Sequence, residues 1–432
     1  MIVSILASGS RGDVQPPATL AKALAGRGHD VRLLAPEDFA GLAESGVTFR
    51  PLGPKAIYVL RSEEGRAIFA KRGSALSFMR SLARITRKYS STIAPTIRDA
   101  TVGSDLIVAT GLTSAVGMAV SEYWKVPIVH AWFQPPIAAR DFTGPSGERS
   151  PFELPKWMNR LIGVVAEQLM WWMLFRPGVQ PVRDYLGLPP AGFWAALPKA
   201  VTAGEPLLLA YSQTLLPRSS EWPGNVEVTG YWHYDTPSAW TPPAALAEFL
   251  SKGPAPIYIG FGSMLIDDPK GAAEIALAAL ERIGARGVLS AGWGGLTSDN
   301  LPENVFAINE APHDWLFPKM AAIVHHCGAG TTGAALRAGK PSVCTPFIAD
   351  QFFWAERLCK LGVAPKAVPN ASWNVSKLGA AMETALNDTA MRARAEQIGA
   401  VVRAEDGLGR AVVVIEMAGA EQRVHHHQSQ AP

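Results

Sequence analysis

The sequence predicts an α/β protein made of two facing Rossmann-like domains with a cleft between them. Three observations predict it. At 432 residues the chain is long for one hydrophobic core, and a hydrophobic content of 48% is enough to fill two interiors. Short apolar runs alternate with helix-like stretches, the pattern of a parallel sheet covered on both faces. Both halves also open alike, with an apolar strand running into a glycine–serine turn: Ala7-Ser8-Gly9-Ser10 and Gly260-Phe261-Gly262-Ser263.

In the first half the expected strands are Ile2–Ala7, Val31–Leu34, Leu106–Ala109 and Ile128–Ala131, with helices over Ala18–Ala25 and Ser114–Tyr123. In the second half they are Ile257–Phe261, Gly287–Ser290, Val305–Ile308, Ile323–His326 and Ser342–Thr345, with helices over Ala272–Arg282 and Thr331–Ala338. The Pro- and Trp-rich stretch from Trp222 to Pro243 has no sustained periodicity and marks the boundary. This places an N-terminal domain at 1–222, a linker at 223–239 and a C-terminal domain at 240–404. Two such domains bind ligands at the carboxyl ends of their strands, in the cleft between them.

Composition excludes several classes. A net charge of +3 gives no general attraction to polyanions, so nucleic acid is not an expected partner. Three cysteines, Cys327, Cys344 and Cys359, cannot form a disulfide framework and suit a reducing compartment. The opening Met1-Ile2-Val3-Ser4-Ile5-Leu6-Ala7 has no basic leader and reads as a buried strand instead of a signal peptide, so the expected compartment is the cytoplasm. The most apolar window, Leu161 to Phe175, is interrupted by Glu167 and Gln168 and is too short to span a bilayer. We read it, with Trp171 and Trp172, as a core or interdomain helix, with membrane contact at most peripheral. The tail Val424-His425-His426-His427-Gln428 is expected to be disordered.

The most informative segment runs from Ala322 to Gly333: an apolar strand ending in His325 and His326, a turn through Cys327 and Gly328, and a helix opening on Thr331 and Thr332. Glycines let the backbone approach a ligand, and a helix start presents unpaired N–H groups and partial positive charge to phosphate. His326 can add a charged hydrogen bond, and the two threonines can donate hydroxyls or cap the helix. The same residues contain Gly328-x-Gly330-x-x-Gly333 with Asp350 about 20 residues on, which matches a dinucleotide fingerprint. An NAD(P)-linked oxidoreductase is therefore the competing reading. Against it, Asp350 follows Pro346 in a loop and does not end a strand.

Four blocks in order carry a resemblance: Glu310-Ala311-Pro312-His313-Asp314-Trp315-Leu316-Phe317-Pro318; His325-His326-Cys327-Gly328-Ala329-Gly330-Thr331-Thr332; Arg337-Ala338-Gly339-Lys340-Pro341; and Pro346-Phe347-Ile348-Ala349-Asp350-Gln351. Together they resemble the nucleotide-sugar signature box of family 1 glycosyltransferases of the GT-B fold. The amino end, Gly9-Ser10-Arg11-Gly12-Asp13-Val14-Gln15-Pro16, is similar to the opening of the bacterial antibiotic and sterol glucosyltransferase branch. The resemblance covers both ends of the chain, while residues 50–220 are less distinctive.

The resemblance implies a role for each matching residue. His326 and the N–H groups of the turn through Gly328, Gly330, Thr331 and Thr332 would hold the diphosphate of a UDP-sugar, a co-substrate and not a cofactor. No metal is implied, and the sequence has no Asp-x-Asp motif. Ser263 would bond a phosphate oxygen, Asp350 and Gln351 the sugar hydroxyls, and Ala311 and His313 would border the base. Glu310 stands where a stacking tryptophan is usual in plant members, Trp293 offers a substitute platform, and Ala334 replaces the ribose-binding carboxylate. Asp13 would be the general base and the donor would react with inversion. Ser10, His130, Trp132 and Phe133 would face a flat, lipophilic acceptor, in the N-terminal domain. A helix at about 405–420 would pack back on that domain. A sugar-nucleotide-binding protein without transfer activity, or an epimerase on the same fold, would use the same donor residues.

Overall fold

The computed structural model describes residues 1–69, 75–142, 155–236, 240–266, 268–292 and 301–429. Seven strands form the first sheet: β1 (Ile2–Leu6), β2 (Asp30–Ala35), β3 (Val47–Pro51), β4 (Leu106–Thr110), β5 (Ile128–Trp132), β6 (Leu207–Leu209) and β7 (Val226–Val228). Their order is β3-β2-β1-β4-β5-β6-β7. Five strands form the second: β8 (Ile257–Gly260), β9 (Gly287–Ser290), β10 (Val305–Ile308), β11 (Ala322–His325) and β12 (Ser342–Cys344), in the order β10-β9-β8-β11-β12. Every pairing is parallel, for example Ile5 opposite Val108 and Val324 opposite Ile259. Helices cover both faces, so central strands such as β4 and β5 are buried throughout and are mostly apolar.

The strand orders locate the site. Each sheet reverses direction once, between β1 and β4 in the first and between β8 and β11 in the second. Loops leaving the carboxyl ends of strands at such a reversal diverge and leave a crevice. The loops after β1 and β11 therefore open into the space between the sheets.

Three short strands carry no pattern that sequence reading catches. β6 and β7 are three residues each, too short to show a period, and β3 is only half buried. β7 lies inside the segment read as a linker, so the first sheet extends further along the chain than expected. The apolar window from Leu161 is one helix, Lys156–Met170, running through a π-helical turn, Trp171–Phe175, into Arg176–Leu186. Trp171 is buried and Trp172 is exposed. The last helix runs from Gly407 to Ser429, so the backbone is helical through the tail expected to be disordered.

The two halves share an apolar core. Trp132, Leu209 and Tyr211 pack in one cluster with Cys327, Phe353 and Trp354, and the Tyr211 and Trp354 rings lie 5.4 Å apart. The last helix rests on the first half, where Ala411 and Ile415 join Val3 and Val31 in a core and Glu416 bonds Arg27 at 2.7 Å. Among the described residues no helix is long and apolar enough to cross a membrane.

Candidate active site

A cleft of about 1990 Å³ opens between the two sheets, larger than a pocket for a single small ligand and roomy enough for two. Its second-sheet wall includes a tight backbone turn. β11 ends at His325, the chain turns through Cys327 with φ at 65°, and Gly328 caps the helix Ala329–Arg337. A left-handed φ is uncommon for a residue with a side chain. The turn is supported by the Cys327 N–H, which donates to Nδ1 of His325 at 3.2 Å. It places the His326 ring over Gly328, where a methyl group would sit 2.5 Å from Nε2. Ser263 follows Gly262, which lies against the same ring.

Burial, with nearby His313 adding to it, lowers the His326 pKa to about 4. The ring is therefore neutral and offers a neutral hydrogen bond, not the charged one expected from sequence. Its Nδ1 is buried without a partner among the described residues. His313 stacks on Phe317 at 4.2 Å. Together with the free N–H groups of the helix start, the His326 ring makes a cradle suited to phosphate.

The first-sheet wall begins at the loop after β1. Ser10 caps the helix Arg11–Gly26 and Asp13 completes a capping box. Asp13 Oδ2 accepts from the Ser10 N–H at 2.7 Å and from its hydroxyl at 2.9 Å. No donor among the described residues meets Oδ1. Burial raises the Asp13 pKa, and burial together with Asp13 itself pushes Asp350 up to about 7. The two carboxyls thus feel each other across the cleft. Beyond Asp13 the wall is side chain: Trp132, Phe133 and Ile137 after β5, Met170 and Met173 from the long helix, and Ile85 from the helix Ala75–Ala100. Arg11 reaches over to Glu310 at 2.6 Å, an ion pair across the mouth.

Most of the residues singled out from sequence line this one cleft: Ser10, Asp13, Trp132, Phe133, Ser263, Ala311, His313, His326, Gly328, Gly330, Thr331, Asp350 and Gln351. Two do not. His130 is fully buried, with Nε2 bonded to Glu205 at 2.8 Å and Nδ1 without a partner among the described residues, and it does not line the cleft, which corrects its placement against an acceptor. Thr332 is buried with its hydroxyl unpartnered among the described residues and does not reach the cleft. Trp293 lies outside the described residues. Gln351 reaches the cleft, but its side-chain oxygen already accepts from the N–H groups of Phe347 and Ile348. Asp350 accepts from the Trp354 indole at 3.1 Å. Gly333, third in the fingerprint, packs on Tyr231.

Sequence reading missed Glu167. It stands on the cleft side of the long helix, accepts from the Ala138 N–H, and burial pushes its carboxyl up to about 7. Its position in an apolar window was the signal available. Among the described residues no group of His, Cys, Asp and Glu side chains is arranged to hold a metal.

Residues 3–140 match the glycosyltransferase family 28 N-terminal domain, and residues 282–407 match the erythromycin biosynthesis protein CIII-like C-terminal domain. Over 428 residues the chain is 33% identical to a sterol 3-beta-glucosyltransferase of Arabidopsis thaliana, covering 95% of this chain and 67% of that protein. It is 36% identical over 438 residues to the O-mycaminosyltylonolide 6-deoxyallosyltransferase of Streptomyces fradiae, covering 99% of each. It spans 30% of the length of a matching sterol 3-beta-glucosyltransferase of Emericella nidulans. The fold is that of the kitacinnamycin glycosyltransferase crystal structure, with a TM-score of 0.70 at 19% identity over 96% of this chain and 98% of that one. A two-sheet α/β architecture, a glycine turn facing an apolar wall, and relatives of one kind matched over nearly all of this chain lead to one assignment: the chain belongs to the GT-B glycosyltransferases, in the branch that holds sterol and antibiotic glycosyltransferases.

Proposed function

We propose that the protein transfers a hexose, glucose from UDP-glucose first among candidates, to a hydroxyl of a lipophilic acceptor such as a sterol, macrolide or flavonoid, with inversion at the anomeric carbon. The observation that carries this reading is the placement of Asp13 and the His326–Gly328 turn on opposite walls of one cleft.

An acceptor hydroxyl must lose its proton as it attacks, and Asp13 is the base on the acceptor wall. Ser10 holds Oδ2, leaving Oδ1 for the proton. The acceptor oxygen bonds to the anomeric carbon, the bond from that carbon to the phosphate oxygen breaks, and the nucleoside diphosphate departs. His326 and the N–H groups after Gly328 take up the charge that grows on the leaving group. Attack from the wall opposite the leaving group gives inversion. Asp350 faces the sugar between them. The protein works in the cytoplasm on this reading, without a metal or cofactor. The plant sterol and bacterial macrolide enzymes it resembles support a lipophilic acceptor.

The test is incubation with UDP-glucose or TDP-glucose, in EDTA, against a panel of sterols, flavonoids and macrolides, with products read by mass spectrometry. A product carrying one added hexose, formed by the wild type and lost in Asp13→Asn, is the expected result. Hydrolysis of the donor without a glycosylated product would overturn it.

A further inference from the structure

The helix Lys156–Met170 has two faces of different use. Its inner face lines the cleft through Gly163, Ala166, Glu167 and Met170. Its outer face carries Trp157, Leu161, Val164, Val165 and Leu169, spaced so that they fall on one side of a helix, and Trp172 continues the row into the π-helical turn. All six are exposed, Trp157 by 63% and Leu161 by 54%. A surface helix normally turns such a stripe towards the core; here it faces outward.

Neighbouring side chains build this exposure. Phe193 and Trp194 stand beside the stripe, 56% and 71% exposed. Gln168 donates to the Phe193 carbonyl at 2.9 Å and accepts from the Ala195 N–H at 3.1 Å, while the Trp172 indole donates to the same carbonyl at 2.8 Å. The Trp172 and Phe193 rings lie 4.9 Å apart and those of Phe193 and Trp194 5.1 Å, so the loop extends the stripe into one apolar face. An exposed face of that kind marks an interaction surface. Its rim is net basic. Arg140, Lys156 and Arg160 stand at one end and Arg176 at the other, against Glu221, shared by Arg140 and Arg160, and Asp141, which accepts from the Ser219 hydroxyl. The stripe itself carries no acid, since Glu167 is turned to the cleft.

We propose that this face docks on an anionic phospholipid bilayer. Aliphatic side chains flanked by tryptophans and basic residues are what a helix lying in the headgroup layer requires. A second copy of the chain would set basic rim against basic rim, whereas lipid phosphates complement it. The inference does not rest on the transferase reading. It places the acceptor wall one helix thickness, about 10 Å, from lipid.

Co-sedimentation of the full chain with vesicles tests it, using phosphatidylcholine alone and an equal mixture of phosphatidylcholine and phosphatidylglycerol. The wild type is expected to bind the mixed vesicles, with a blue shift in tryptophan fluorescence, and to bind phosphatidylcholine alone more weakly. Raised salt should narrow that difference. Leu161→Gln with Val165→Gln should weaken binding at least about tenfold, since two aliphatic side chains no longer enter the lipid. Both positions are exposed, so the melting temperature should hold, and Trp194→Ala, off the helix, should weaken binding independently of any change in it. Val413→Gln, which removes an exposed apolar side chain elsewhere, should bind as the wild type does. No binding to the mixed vesicles, or binding unchanged by the stripe variants, would overturn the proposal. So would a dimer in analytical ultracentrifugation that the double variant dissociates, because a second copy would then cover the face.

Discussion

The two walls of the cleft are made of different material. One wall carries a backbone turn: a left-handed residue at Cys327, a glycine under the His326 ring, and the free N–H groups of a helix start. The other takes residues from the end of β5 and the loop after it and from helices far apart in the sequence. Backbone N–H groups are present whatever the side chains, so the first wall suits what all donors share, a diphosphate. Side chains can be exchanged one at a time, so the second wall is where acceptor choice can change without loss of the fold. Asp13 is the exception, a residue on the same wall as these side chains on which the proposed chemistry depends.

That exception carries the largest expected effect. Asp13→Asn keeps a side chain able to cap the helix but removes the base, and should lower kcat by about 10²–10⁴-fold while leaving donor affinity unchanged. Steady-state kinetics beside UDP titration checks both halves of that statement. The donor wall breaks through its backbone. Gly328→Ala puts a methyl against the His326 ring and should cost about 10²-fold in kcat, near the value for losing one charge-stabilising donor. On the other wall, Met173→Ala should raise the acceptor KM about tenfold and leave the donor KM alone, as a few methylenes in an apolar pocket do.

The smallest effect is on stability. In the folded protein Asp350 titrates at about 7, against 3.8 for a free side chain, so the folded state holds this proton more tightly. Its contribution favours folding below about pH 4 and is lost as pH rises through 7. Asp350→Asn cannot ionise and should melt about 2–4 °C above the wild type at pH 8, with the gap closing towards pH 4. Calorimetric scans across that range check the sign.

The same contrast explains what the sequence made legible. The cradle is local: strand, turn and helix follow one another within residues 322–337, so their order alone announced a phosphate site. The acceptor wall joins residues near 85, 132 and 170, whose meeting depends on how the long helix packs, and no spacing records that. His130 and Trp132 show the limit within one strand. Both lie in β5, two residues apart, yet His130 is tied to Glu205 inside and Trp132 lines the opening. Glu167 looked like an interruption in an apolar run because its partner, Ala138, is 29 residues away. β7 was missed because three residues in a Pro-rich stretch cannot display a period.

The chain crosses between the halves twice, and the crossings touch. A methyl on Gly407 would lie 2.5 Å from the Tyr231 carbonyl oxygen, and one on Gly230 would lie 3.0 Å from the Glu405 carboxyl. Beside them Tyr211 meets Trp354 and Phe142 meets Phe353, in apolar contact instead of across water. A seam of that kind resists opening, since parting it would wet the buried rings. The molecule is therefore a slotted block and not a pair of jaws. Arg11 and Glu310 join the two walls of that slot by an ion pair at 2.6 Å.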